Sequence, residues 1–120
     1  IRKQRIMKIR EIQTLANGRV VCGTERLDTE VGFAFASDLM SDVLTLMNDG
    51  VLLITGLANT QTIRTAEMAD ISHILFVRNK KVTDEMIKLA KENGMVLIET
   101  SYSMFRASGI LYSAGLKAIF

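Results

Sequence analysis

The sequence predicts a three-layer α/β/α domain on a mostly parallel sheet of about five strands. Three observations carry this reading. Apolar runs recur at Gly50–Thr55, Ser72–Val77 and Gly94–Ile98, and the steps from Val51 to Ile74 to Val96 are 23 and 22 residues, the length of one strand, one helix and two short loops. Each run is apolar at consecutive positions, which suits a strand covered on both faces. Helical patterns with caps lie between the runs.

Taken in order, Lys8 to Ala16 reads as a short amphipathic helix with Ile9, Ile12 and Leu15 inward, stopped by Asn17-Gly18. Arg19 to Cys22 reads as a strand at a sheet edge or antiparallel to the rest, and Val31 to Ala36 as a further strand. Asp38 to Met47 places Leu39, Val43, Leu46 and Met47 on one helical face, with Ser37 or Asp38 as cap. Thr60 to Ala69 repeats the pattern with Ile63, Ala66 and Met68 inward. Thr83 to Asn93 is the clearest helix, opened by Thr83 and closed by Asn93-Gly94. The last helix runs from about Ser103 to Ser113 with Phe105, Ile110, Leu111 and the small residues Ala107 and Ser108 packing closely; Gly109 weakens it by about 1 kcal/mol relative to Ala, which predicts a close neighbour there.

Composition narrows the function classes. With 120 residues, 48% hydrophobic and 23% charged, the chain is long enough and apolar enough for one folded domain. One Cys and one His fall short of the roughly four ligands of a structural zinc or iron-sulfur site, so no metal and no cofactor is expected. A lone Cys22 also excludes an internal disulfide and points to a reducing cytoplasm. The net charge of +2 is concentrated in Arg2, Lys3 and Arg5; without these three, 12 basic residues face 13 acidic ones. A basic tail on a neutral body does not point to nucleic acid. The aliphatic runs are also far shorter than the roughly twenty residues of a spanning helix, so no membrane partner is expected. Met7-Lys8 reads as a natural start, so residues 1–6 read as an N-terminal tail, native or vector-encoded, and 7–120 as a single domain.

In an open parallel sheet the ligand crevice lies beyond the carboxyl ends of the strands. The residues there are Ser37 and Asp38, then Thr55, Gly56, Asn59 and Thr60, then Arg78, Asn79 and Lys80, then Glu99, Thr100 and Ser101, a polar rim with both signs of charge; Ser37, Asp38, Thr55, Gly56, Asn59, Arg78, Thr100 and Ser101 are the eight candidates for holding a small anion. The plainer reading makes Asp38, Thr60 and Ser103 ordinary helix caps. Neither GxxxxGKS/T nor GxGxxG is present. His73, at the start of an apolar strand, reads as structural, and Cys22 as a small buried hydrophobe. Without an activated nucleophile or base, the chain reads as a binding module and not an enzyme.

The segments Gly32–Leu44, Leu53–Leu57 and Met95–Phe105 together resemble a DRTGG domain, over residues 7–115. Asp38 stands at the family's Asp and Thr55-Gly56 match, while Leu39 takes the Arg place, Leu57 the last Gly and Met104 the Thr before the aromatic. The resemblance implies a fold similar to the N-terminal domain of HPr kinase/phosphorylase. It also implies a non-catalytic regulatory role, through a small anionic metabolite or nucleotide, through homodimerisation, or both. Related domains occur in phosphotransacetylase-like proteins and between CBS domains of regulated pyrophosphatases. Free-standing members near hydrogenase genes suggest the alternative of an accessory to a hydrogenase or other redox enzyme.

Overall fold

The computed structural model of the chain describes residues 5–46 and 50–120. In chain order the elements are β1 (Met7–Lys8), α1 (Ile9–Leu15), β2 (Arg19–Cys22), a 3-10 turn (Thr24–Arg26), β3 (Glu30–Val31), β4 (Phe33–Ala36) and α2 (Met40–Val43). Then come β5 (Val51–Thr55), α3 (Thr60–Met68), β6 (His73–Phe76), α4 (Asp84–Glu92), β7 (Val96–Glu99), α5 (Met104–Ala114) and β8 (Lys117–Ala118). The main sheet has the order β2-β7-β6-β5-β4-β8. Its pairs are parallel throughout except β2 against β7, an antiparallel edge as the sequence suggested. Short β1 and β3 form a separate antiparallel pair.

Strand alternation sorts the core into two layers. Leu53, Ile74, Phe76 and Leu97 face α2, α3 and α4, where Val43, Ile63, Met86 and Ala90 meet them. Leu52, Ile54, Leu75, Val96 and Ile98 face the other way, against Ile9 and Ile12 of α1 and Ala107 and Leu111 of α5. This two-sided burial is why β5, β6 and β7 carry no polar alternation. After β7 the chain passes β6, β5 and β4 through α5 and returns as β8 beside β4. The entering chain meets this return: the Arg5 N–H donates to the Gly115 carbonyl at 3.0 Å and Arg5 Nε to the Ala114 carbonyl at 2.8 Å.

Several elements depart from the sequence reading. The sheet has six strands, because β8 is two exposed residues with no apolar run to announce it. The expected strand Val31–Ala36 is broken at Gly32, whose N–H and C=O bond Gly50 and Lys117. The helix expected over 38–47 is only Met40–Val43 and has no side-chain cap; Met47 lies outside the described residues. Ser37 Oγ instead accepts the Leu39 N–H, and Asp38 turns toward β5, leaving Leu39 57% exposed rather than inward.

Met68 and Phe105, expected inward, are 72% and 89% exposed. The buried stripes run through Thr62, Ile63 and Ala66 in α3 and through Ala107 and Leu111 in α5. At 3.6 residues per turn, Phe105 lies about 200° from Ala107 and Met68 about 200° from Ala66. Gly109 has no close neighbour: a Cβ there would meet nothing within 4 Å. Asn59, not Thr60, caps α3, whereas Thr83 and Ser103 cap α4 and α5 as expected.

Candidate functional site

The carboxyl ends of β4, β5 and β6 bring Asp38, Thr55, Gly56 and Arg78 into one network. Asp38 Oδ1 accepts the Thr55 hydroxyl at 2.9 Å and the Gly56 N–H at 2.7 Å, and Oδ2 lies 3.6 Å from Arg78 Nη2. Arg78 and Asn79 both adopt left-handed backbone, with φ of 60° and 59°. For an L-residue this costs about 1–2 kcal/mol, offset here by two hydrogen bonds. The Arg78 N–H donates to the Tyr102 carbonyl at 2.8 Å and the Asn79 N–H to the Thr100 carbonyl at 3.0 Å, fastening the β6 exit to the β7 exit. This hook lays the Arg78 guanidinium directly over Gly56, where a Cβ would sit 2.5 Å from Nη2. Any other residue at 56 would displace the guanidinium.

Arg78 and Asp38 are each about half exposed, at 53% and 47%. Their ion pair is thus worth at most about 1 kcal/mol, and it positions the guanidinium more than it stabilises the fold. Among the described residues the Arg78 side chain donates no hydrogen bond, which leaves its planar fork of donors untaken. Arg106, in the first turn of α5, lies on the Tyr102 ring with Cζ 3.8 Å from the centroid, adding a second cation beside the β7 exit.

Thr100 and Ser101 belong to a neighbouring polar pocket of about 200 Å³, lined also by Asn17, Arg19, Asn79 and Lys81. At its wall, Glu99 is only 7% exposed. Its Oε2 accepts the Val82 N–H at 2.7 Å, and Lys81 Nζ stands 3.8 Å from Oε1. The Thr100 hydroxyl donates to the Ala16 carbonyl at 2.6 Å and accepts the Tyr102 N–H at 3.2 Å, tying α1 to the rim. Ser37 is used in its own turn, and Asn59 Oδ1 accepts the Thr62 N–H at 2.9 Å. Of the eight residues picked from sequence, four form the Arg78 network, two line the polar pocket, and Ser37 and Asn59 serve their local turns. Arg19 and Arg106 were missed, although Arg106 stands three residues after a readable cap.

Outside the rim, His73 Nε2 lies 2.9 Å from Thr29 Oγ1 at the amino end of β6; burial, with Arg26 nearby, lowers its pKa to about 4. Cys22 is buried, which pushes its thiol up. Among the described residues no group of three or more His, Cys, Asp or Glu could hold a metal ion, and no helix is long and apolar enough to cross a membrane.

A parallel sheet covered on both faces, with its polar crevice along the carboxyl edge, places the chain in the class of three-layer α/β modules. Within that class it belongs to the DRTGG domain family, whose model matches residues 11–114. Among solved structures, the chain is similar to the CBS and DRTGG domains of the regulatory region of Clostridium perfringens pyrophosphatase, crystallised with its activator diadenosine tetraphosphate. The TM-score is 0.71 at 16% identity, over 89% of this chain and 46% of the other. The chain thus spans about half the length of that structure, and the likeness is one of fold. No curated protein matches the chain.

Proposed function

We propose that this chain is a regulatory module that binds a small anionic metabolite, nucleotides included, at the carboxyl edge of its sheet. The observation that carries the reading is the Arg78 guanidinium, half-exposed and held over Gly56 by Asp38 and by the hooked backbone, with donors that no described residue takes up. An arginine presented this way suits the planar, bidentate recognition of phosphate or carboxylate. The nucleotide activator of the pyrophosphatase regulatory region supports including nucleotides in the ligand class.

The test is a thermal-shift and calorimetry panel of adenine nucleotides, cyclic dinucleotides, acyl phosphates, coenzyme A and nicotinamide cofactors. A ligand at about 100 times its dissociation constant adds roughly 2.7 kcal/mol to stability. One compound class should raise Tm in the wild type and fail to do so in Arg78→Gln and in Asp38→Ala/Arg78→Ala. A panel without any shift, or a shift that survives both variants, overturns the reading.

Self-association is the second reading, and the open edge of β8 favours it. Lys117–Ala118 is exposed and, among the described residues, pairs only with β4, leaving a strand edge that a second copy can extend. Light scattering that gives a monomer mass at high micromolar concentration would set this reading aside.

A further inference from the structure

The polar pocket of about 200 Å³ is built around a carboxylate that folding has taken out of water. It forms where antiparallel β2 starts alongside the carboxyl end of β7, next to the loop that leads from β6 to α4. Register sets Arg19 directly across from Glu99. Val20 and Ile98, the next pair along, face α1 and α5, so Arg19 and Glu99 turn to the other side of the sheet, where the loop brings Lys81. Asp38, Gly56 and Arg78 are absent from the lining, which makes this a place apart from the anion rim.

Glu99 is the unusual member. A buried carboxylate is ordinarily held by direct hydrogen bonds to its oxygens, and Oε2 has one, from the Val82 N–H at 2.7 Å. Oε1 accepts none among the described residues: Lys81 Nζ stands 3.8 Å away, close enough to balance charge and too far to donate. The one buried side-chain polar atom among the described residues that is sealed without a partner is Ser108 Oγ, so the little surface Glu99 keeps includes Oε1, and the pocket is where Glu99 is open. Around it the side chains of Asn17, Arg19, Asn79 and Ser101 make no hydrogen bond to any described residue, which leaves their donors for a ligand.

We infer that this pocket takes a free acidic α-amino acid, its ammonium on Glu99 Oε1, its α-carboxylate on the Arg19 guanidinium and its side-chain carboxylate on Lys81. Charge selects the class. A simple anion would meet the Glu99 carboxylate and a simple cation would meet Arg19 and Lys81, whereas an ammonium beside a carboxylate satisfies both signs. Two cations against one carboxylate still leave one positive charge, which a second carboxylate on the ligand balances. Size and shape agree with this. The volume lies below the roughly 300–1,000 Å³ of drug-sized sites, and the lining holds no aromatic ring on which a nucleobase could stack.

The test titrates L-glutamate, L-glutamine, glutarate and γ-aminobutyrate, with the corresponding aspartate series, by calorimetry and amide-shift mapping on the full chain. The acidic amino acid should bind best and move the Val82 amide, whose hydrogen rests on Glu99 Oε2. The analogue without the ammonium and the analogue without the α-carboxylate should each bind about 10- to 150-fold more weakly. The side-chain amide should lose only about two- to fivefold, since Lys81 is 67% exposed. Arg19→Gln, at an exposed position of an edge strand, should weaken the acidic amino acid about as much as removing its α-carboxylate. Glu99→Gln keeps an acceptor for Val82 and removes the charge, with the same loss expected; where that variant unfolds, Arg19→Gln and the analogue without the ammonium decide. Arg78→Gln should leave the affinity unchanged. The inference is overturned by no heat and no Val82 shift with either acidic amino acid up to about 10 mM, by equal binding of the analogue without the ammonium, or by affinity that survives Arg19→Gln. Binding lost in Arg78→Gln with the Val82 amide unmoved overturns it too, because the amino acid then sits on the rim.

Discussion

Gly56→Ala separates the ligand-holding role of the rim from its contribution to the fold. The added methyl would sit 2.5 Å from Arg78 Nη2, 2.9 Å from Nε and 3.0 Å from Cζ. To restore ordinary contact the guanidinium must withdraw by about 1 Å or more, away from Asp38. The stability cost is small: a half-exposed ion pair is worth about 0–1 kcal/mol, and replacing glycine outside the left-handed region returns about 0.4–1 kcal/mol through the unfolded chain. The net change should stay within about 1 kcal/mol. Binding should respond quite differently, because a charged hydrogen bond from arginine to the ligand is worth about 1.5–3 kcal/mol, or roughly a 10- to 150-fold loss of affinity. Urea denaturation reads the first quantity and calorimetry with the best ligand of the panel reads the second. In a double-mutant cycle, Gly56→Ala should add nothing to Arg78→Gln, since both remove the same group. Unchanged affinity in Gly56→Ala, or full additivity with Arg78→Gln, would refute the reasoning.

Three further outcomes follow from buried contacts. Thr100→Val strands the Ala16 carbonyl and the Tyr102 N–H, and should cost about 1–3 kcal/mol in urea denaturation; an unchanged midpoint would show that the tie between α1 and the rim is idle. Gly23→Ala should cost more, about 2–4 kcal/mol in the same assay, because φ is +86° and the new Cβ would lie 2.7 Å from the Met95 carbonyl oxygen, a backbone atom that cannot swing aside. His73 supplies a pH dependence. Its folded pKa of about 4 lies below the 6.5 of the unfolded chain, so the unfolded state binds more protons between those values, and stability should be full above about pH 6.5 and fall as pH drops toward 4. The loss should be on the order of 2–3 kcal/mol, and His73→Gln should remove that slope from the stability curve measured between pH 7 and 4.5.

Much of the fold was legible because its strands are buried on both faces. Val51–Thr55, His73–Phe76 and Val96–Glu99 announce themselves as apolar runs, and Thr83 and Ser103 mark helix starts that the structure keeps. Arg19–Cys22 was readable both as a strand and as an antiparallel edge. β8 was not, since two exposed residues acquire strand geometry only from β4 beside them. Nor was the short α2, where Asp38 has a stronger claim on it from Thr55 and Gly56 than from a helix start. The inward assignments of Phe105 and Met68 failed for a related reason: a hydrophobic side chain does not reveal its helical face when small residues such as Ala107 and Ala66 can make the contact. At the site, the rule of carboxyl ends found the neighbourhood, and tertiary geometry decided the roles. No local pattern foretells that Arg78 takes a left-handed backbone and reaches back over Gly56. The polar pocket is harder still to read, since Arg19, Lys81 and Glu99 meet only through the register of β2 on β7 and the course of the loop after β6.

The hydrogen bonds from Arg5 to Ala114 and Gly115 fasten the entering chain to the start of the α5-β8 return, whereas β8 runs parallel to β4 and carries the last described residue, Phe120, up to Phe35. Removing residues 1–6 would therefore free the Ala114 and Gly115 carbonyls and loosen the start of that return.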